Sequence, residues 1–255
     1  MQPLTILKIG GKLLDDEKQL SSALADFANI STKKILVHGG GKRANELCRQ
    51  IGIQPNMWNG RRLTDAPTLE VVTMVYAGLI NKQVVALLQS LQCNAMGFSG
   101  TDGNLIYAKK RAAAAVDFGY AGDVEKVNTH LLMTLLKNGI TPVFCAITHD
   151  GKGQLLNTNA DTIATELAAA LTPHFAITLK YCFEKKGVLL HPQDDSSFMD
   201  KIDMEGYQQF KDSGIISAGM IPKLDNAFTA KKAQVDKVVI CGTSGIKANE
   251  GTEIC

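Results

Sequence analysis

Short apolar runs rich in β-branched residues alternate along the chain with longer segments whose apolar positions recur every three or four residues. Residues 4–9, 34–38, 94–98, 141–147, 175–179 and 237–241 read as strands, and residues 17–28, 44–51, 67–91, 129–137, 160–171, 204–212 and 222–234 as helices. The helix from Pro67 has the clearest period, with Leu69, Val72, Val75, Tyr76, Leu79, Ile80, Val84, Leu87 and Leu88 on one face. Strand and helix in alternation predict an α/β fold with a largely parallel sheet. Polar turns at Thr101-Asp102-Gly103-Asn104 and Asp150-Gly151-Lys152-Gly153 read as hairpins. The segment Leu171-Thr172-Pro173-His174 ends one helix and precedes a strand, so it is the best boundary between two lobes, 1–171 and 172–255.

Composition narrows this picture without changing it. At 255 residues, 45% hydrophobic and 20% charged, the chain is long enough for a large core. The net charge is only +2 and its basic residues are interspersed with acidic ones, so no face suited to nucleic acid is expected. The opening Met1-Gln2-Pro3 runs straight into a strand with no basic n-region, and no later stretch approaches ~20 uninterrupted apolar residues. The expectation is a cytoplasmic protein, neither exported nor membrane-spanning. Six dispersed cysteines form no C-x-x-C pair and read as reduced, small apolar residues. The five histidines show neither metal spacing nor a triad context, so no metal ligand is assigned.

Five segments carry chemistry. Lys8-Ile9-Gly10-Gly11-Lys12 ends the first strand, and His38-Gly39-Gly40-Gly41-Lys42 ends the second and opens a helix. Glycines at the carboxyl ends of parallel strands expose backbone N–H groups to a ligand, and a helix N-terminus beyond them favours phosphate. Either loop alone is equally well a tight turn; two at successive strand ends favour phosphate binding. Neither is a Walker A loop or a G-x-G-x-x-G fingerprint. Asn157-Thr158-Asn159-Ala160-Asp161 precedes an alanine-rich helix. Asn159 as N-cap and Asp161 as a dipole partner account for that segment structurally, with a ligand site as the alternative. In Gly219-Met220-Ile221-Pro222-Lys223 the lysine sits in a first helical turn, unfavourable unless an anion joins it there, though a solvated surface lysine is the plain alternative. Asn59-Gly60-Arg61-Arg62-Leu63-Thr64-Asp65 brings paired arginines, either solvated or gripping a carboxylate with a bidentate fork.

In this order the five segments resemble the amino acid kinase family, and within it the branch that phosphorylates N-acetylglutamate for arginine biosynthesis. The likeness covers nearly the whole chain, including residues 97–106 and the closing Gly251-Thr252-Glu253-Ile254. It implies a three-layer αβα sandwich with an open, mainly parallel central sheet. Residues 1–171 would bind the N-acylated glutamate and form a homodimer, and residues 172–255 would bind ATP. Lys8 and Lys223 match the family's two phosphate-contacting lysines, and Asp161 the aspartate that holds them. Gly10 and Gly11, with Gly40 and Gly41, match the backbone donors around the transferred phosphoryl group. Arg62 and Asn157 match the grip on the substrate's α-carboxylate region, and Asn159 the asparagine beside it. Magnesium would arrive with ATP. Many relatives carry Ser/Thr-Asp-Val-x-Gly-Val-Leu at the nucleotide lobe, where this chain has Phe183-Glu184-Lys185-Lys186-Gly187-Val188-Leu189. Glu184 then stands for the aspartate, with Lys185 and Lys186 placed toward the ATP phosphates. Thr101 stands where relatives often have lysine. Kinases of the same fold acting on free glutamate or on N-succinylglutamate, and a non-catalytic acyl-amino-acid sensor, remain as alternatives. The family's arginine-inhibited members link dimers through an extra N-terminal helix, and three residues before the first strand are too few for one helical turn. The resemblance therefore implies a homodimer that arginine does not inhibit.

Overall fold

The computed structural model describes residues 1–113, 115–191, 193–194, 197–216, 220–248 and 250–255. Among these, the strands of the first half are β1 (Gln2–Ile9), β2 (Lys33–His38), β3 (Asn56–Trp58), β4 (Arg61–Leu63), β5 (Ala95–Phe98), β6 (Ile106–Lys110) and β7 (Gly122–Val127). Those of the second half are β8 (Thr141–Phe144), β9 (Ile147–His149), β10 (Leu155–Asn157), β11 (Phe175–Cys182), β12 (Lys201–Ile202), β13 (Lys237–Cys241) and β14 (Thr252–Ile254). The helices are α1 (Glu17–Ala28), α2 (Gly41–Gln50), α3 (Ala66–Thr73), α4 (Asn81–Ser90), α5 (Thr129–Lys137), α6 (Ala160–Leu171), α7 (Met204–Asp212) and α8 (Ile221–Lys232).

The main sheet has the order β12-β14-β13-β11-β1-β2-β8-β5. Its strands run parallel except for the antiparallel β13–β14 pair. In β1 residues 4–9 are all buried, the continuous pattern of a strand covered on both faces. Helix α6 packs across β1, β2 and β11 with α8 beside it, while α1 and α4 pack together at the β5–β8 end. A second sheet, β10-β9-β6-β7, and the hairpin β3–β4 stand apart from the main sheet. The two lobes share one sheet, since β11 pairs with β1 from Gln2↔Phe175 to Ile9↔Cys182 without a break at residue 171.

Several elements depart from the sequence pattern for identifiable reasons. The run 141–147 divides into β8 and β9, because the chain leaves the main sheet for the second one there. Residues 101–104 form a 3-10 turn rather than a hairpin, whereas residues 150–153 do join the antiparallel β9 and β10. The strand expected to stop at Leu179 continues through Lys180 to Cys182, with the lysine only 5% exposed. The long helix is interrupted by a π-helical segment, Met74–Ile80, between α3 and α4. Its wider i→i+5 turn keeps Val75 and Ile80 inside but rotates Leu79 out, so Leu79 is 42% exposed. Cys255 is exposed while the other five cysteines are buried thiols. The stretch Ala66–Ser90, with mean hydropathy 1.6, is long and apolar enough to cross a membrane. Here Val72, Val75, Ile80, Val84 and Leu88 face the protein core, which accounts for its apolar composition.

The end of β2 is fixed by a buried polar pair. His38 Nδ1–H donates to Gly39 O at 2.9 Å, which leaves Nε2 to accept from Asn81 Nδ2 at 3.1 Å. Asn81 Nδ2 also donates to Val143 O at 3.0 Å. Complete burial lowers the His38 pKa to about 4. Because the folded pKa lies below the unfolded value of ~6.5, the contribution of neutral His38 is full above pH ~6.5 and is lost as pH falls toward 4. Wild type is expected to lose on the order of 3 kcal/mol across that window. The His38→Gln variant should show a smaller loss, and denaturant melts between pH 7 and pH 4.5 measure the difference. Equal slopes in the two proteins would show that His38 is not the group titrating.

Candidate active site

Parallel strands deliver their carboxyl ends to one edge, and a cleft of about 220 Å³ opens there above β1 and β2. Lys8, Gly41, Arg62, Asn157 and Asp161 line it. Lys8 leaves the end of β1 and its Nζ lies 2.7 Å from Asp161 Oδ1, with both side chains about nine-tenths buried. A Cβ on Gly10 would come within 2.7 Å of Lys8 Nζ, so glycine is what lets the ammonium lie back over the loop. Asp161 is placed by its helix: Asn159 Oδ1 accepts from the amides of Asp161 and Thr162 at 2.7 and 3.2 Å, capping α6. The capping role expected for Asn159 and its position in the cleft therefore coincide.

The second lysine arrives from the C-terminal part of the chain. Lys223 lies in the first turn of α8, with its Nζ 5.8 Å from the Phe183 ring centroid. Burial lowers its pKa, Asp161 and Glu184 oppose that, and Lys8 adds to it. Lys8, Asp161, Lys223 and Glu184 thus form one charge cluster at the ends of β1 and β11. Glu184 reaches Gly11 from the far side, since a Cβ there would lie 3.0 Å from its Oε1. Lys185 and Lys186 stand on the loop after β11, where their backbone packs against Gly242. Gly219 lies outside the described residues.

Helix ends add a further signal. α1, α3, α5, α6 and α7 are capped by Asp16, Asp65, Asn128, Asn159 and Asp203, each accepting a first-turn amide. α2 follows Gly40 and has no side-chain cap. α8 follows Met220, also without one, but Pro222 in its first turn has no N–H and Lys223 N–H donates to Met220 O at 3.0 Å, so the signal is confined to α2. Unsatisfied first-turn N–H groups with the positive end of the dipole are suited to an anion.

Across the cleft, Arg62 is tied to the loop through Nη2, which donates to Gly41 O at 3.0 Å, while its buried Nη1 has no partner. Asn157 Nδ2 donates to Thr64 Oγ1 at 3.0 Å, joining the end of β10 to the segment after β4. Two cleft residues escaped the sequence reading. Tyr76 was placed only on a helix's apolar face, and its π-helical position turns it against Gly40 and toward the cleft. Arg111 follows β6 in an unremarked basic run and is held by Asp123, with Nε–Oδ1 at 3.0 Å.

Residues 3–242 match the family model described as the amino acid kinase family. The chain belongs to the amino acid kinase family. It is 51% identical over 254 residues to the acetylglutamate kinase of Parabacteroides distasonis, covering 100% of both chains. It is 52% identical over 253 residues to that of Bacteroides thetaiotaomicron, covering 99% of this chain and 98% of the relative. Among solved structures, smu.665 of Streptococcus mutans UA159 superposes with a TM-score of 0.84 at 26% identity and 98% coverage of both chains. The three-layer amino acid kinase fold, with its mainly parallel sheet, is thereby established for this chain.

Gly40 tests how tightly the cleft is built. Its φ is +152°, and a Cβ would collide with Ile80 Cδ1 and lie 2.9 Å from Tyr76 Cδ1. Gly40→Ala is expected to cost about 1–3 kcal/mol or more, combining backbone strain and overpacking. Thermal unfolding measures it, and an unchanged midpoint would show that the loop has room to spare.

Proposed function

We propose that this chain is an acetylglutamate kinase, transferring the γ-phosphoryl group of ATP to the side-chain carboxylate of N-acetyl-L-glutamate to give the acyl phosphate. The observation that carries the reading is Arg62, whose second guanidinium nitrogen is buried and unpartnered in the same cleft as the Lys8–Asp161 pair. That nitrogen is suited to one carboxylate of a small substrate while the rest of the molecule reaches the lysines. Full-length relatives named acetylglutamate kinase supply the identity of the acceptor.

The acceptor carboxylate has an unperturbed pKa of ~4.3, so it is a nucleophile at neutral pH without a general base. The barrier is the approach of one anion to another, and catalysis consists of positioning and charge neutralisation. Lys8 neutralises the transferred phosphoryl group and Lys223 the leaving side. Asp161 orients both ammonium groups and takes no proton. The amides at Gly10, Gly11, Gly40 and Gly41 receive the equatorial oxygens, and Arg62 and Asn157 hold the α-carboxylate region, with Asn159 beside them. Glu184, Lys185 and Lys186 border the nucleotide. The uncapped first turn of α2 fits a phosphate group. Magnesium accompanies ATP and spreads the phosphate charge, with its shell completed by phosphate oxygens and water.

On this reading, residues 1–171 hold the acyl amino acid and residues 172–255 the nucleotide, in the cytoplasm. The active form is a homodimer through the N-terminal lobe. Exposed Met74, Leu79 and Met96, on the long helix and the edge strand β5, offer that lobe apolar surface.

An ADP-release assay with N-acetylglutamate, N-succinylglutamate and free glutamate side by side tests the assignment. N-acetylglutamate is expected to be the preferred acceptor. Preference for either alternative moves the assignment to that kinase, and no turnover with any of them leaves a binding protein. In the active enzyme, Lys8→Ala and Lys223→Ala should each lower kcat by at least ~100-fold, the scale of one lost preorganised charge contact. Near-normal turnover in a folded variant would remove that lysine from the mechanism. Arg62→Lys keeps the charge but loses the fork, so the acceptor KM should rise by about tenfold or more while the ATP KM holds. A rise confined to the ATP KM would place Arg62 outside the acceptor site.

A further inference from the structure

Lys180 is a charged residue in the middle of a central parallel strand, between Leu7 of β1 and Val239 of β13 in register. Such a position calls for an apolar side chain. Its Nζ donates to the carbonyls of Gly245, Ile246 and Ala248 at 2.8, 2.9 and 2.9 Å, which uses all three ammonium protons. It therefore has no proton left for a phosphate. Its three acceptors close the short 3-10 turn Thr243–Gly245 and the turn that follows, at the negative end of that helical segment.

The clamped loop leads back to the site. Gly242, at its start, lies against the backbone of Lys185 and Lys186, where a Cβ would come within 3.1 Å of Lys185 O. Phe183 N–H donates to Cys241 O at 3.0 Å, tying the same two loops once more. The segment held in this way carries Glu184, which borders Gly11 and shares the charge cluster with Lys223. A buried cation inside the sheet thus fixes the loop after β13, and that loop fixes the segment after β11.

We propose that Lys180 is a positioning residue for the nucleotide, setting the segment 184–187 through the loop 242–248. The inference rests on the assignment of the C-terminal lobe to ATP. Lys180→Met keeps the side-chain length and removes all three donors, and Lys180→Gln restores two on a shorter side chain. In the ADP-release assay the Met variant should raise the ATP KM by about tenfold, with the N-acetylglutamate KM within about twofold of wild type and the Gln variant in between. Calorimetric titration with ADP, without acceptor, should show the same order of affinities.

Inactive wild type that still binds ADP would refute the kinase reading alone, and the calorimetric series would then decide the role of Lys180. Unchanged ATP KM and ADP affinity, or equal rises in both KM values, would overturn the positioning role, since a purely structural lysine alters stability without selecting one substrate. If the Met variant does not fold, hydrogen exchange on wild type decides. Added ADP should slow exchange of the amides in residues 242–248, and identical exchange with and without ADP would overturn the proposal.

Discussion

The contact on which the rest of the structure depends is the buried ion pair between Lys8 and Asp161, 2.7 Å apart at the carboxyl end of the central strand. A pair this deeply buried contributes little net stability, because desolvation offsets most of the attraction. Its presence constrains the fold all the same. β1 must end at this point, α6 must begin with its first turn against β1, and Gly10 must leave space for the ammonium. The capping of α6 by Asn159 sets the rotation of the first turn, so the helix start and the carboxylate position are one decision. Stability comes from elsewhere, in the apolar packing of β1, β2 and β11 beneath α6.

The uncapped start of α2 belongs to the same site. Lys8 and Lys223 share one cluster with Asp161 and Glu184, and burial pushes the Lys223 pKa down. A side-chain oxygen capping α2 would satisfy that helix but fill the place the proposed phosphate takes. Gly40 leaves the start of α2 without a side-chain cap, while five other helices are closed by Asp or Asn. Structural completeness is withheld where a ligand's charge is to complete the arrangement.

Legibility in the sequence followed how local each determinant is. The bounds of α1, α5, α6 and α7 agree with the pattern because each begins at an Asp or Asn cap whose partner is two or three residues away. The glycine loops were legible for the same reason. By contrast β3 and β4 have only three residues each, and β6 and β7 mix buried with exposed positions irregularly, so periodicity gives no sign of them. Leu79 was misplaced because a π-helical turn leaves no mark in a 3.6-residue period. Arg111 was missed because its role in the cleft depends on Asp123 across a strand pair. Lys180 shows the limit most plainly: a lysine reads as the end of a buried strand, and only the carbonyls of residues 245–248, over sixty positions away, make it the middle of one.

The two lobes need no hinge to meet at the cleft, because the sheet is continuous across them. β2 carries the glycine loop, β1 carries Lys8, and β11 carries the Glu184 segment, and these three are neighbours in the order β11-β1-β2. With strands ~4.8 Å apart, their carboxyl ends span roughly 10 Å. An antiparallel arrangement would send alternate ends to opposite edges and scatter the same residues. Parallel pairing demands long crossovers, and these crossovers are the helices α1 and α6, the second of which brings Asp161 back to Lys8. The chemistry at the edge is thus a consequence of strand direction first and of individual side chains second. Asp161 and Lys223 reach the site from helices, α6 and α8, rather than from strand ends, and so depend on how these two helices pack against each other.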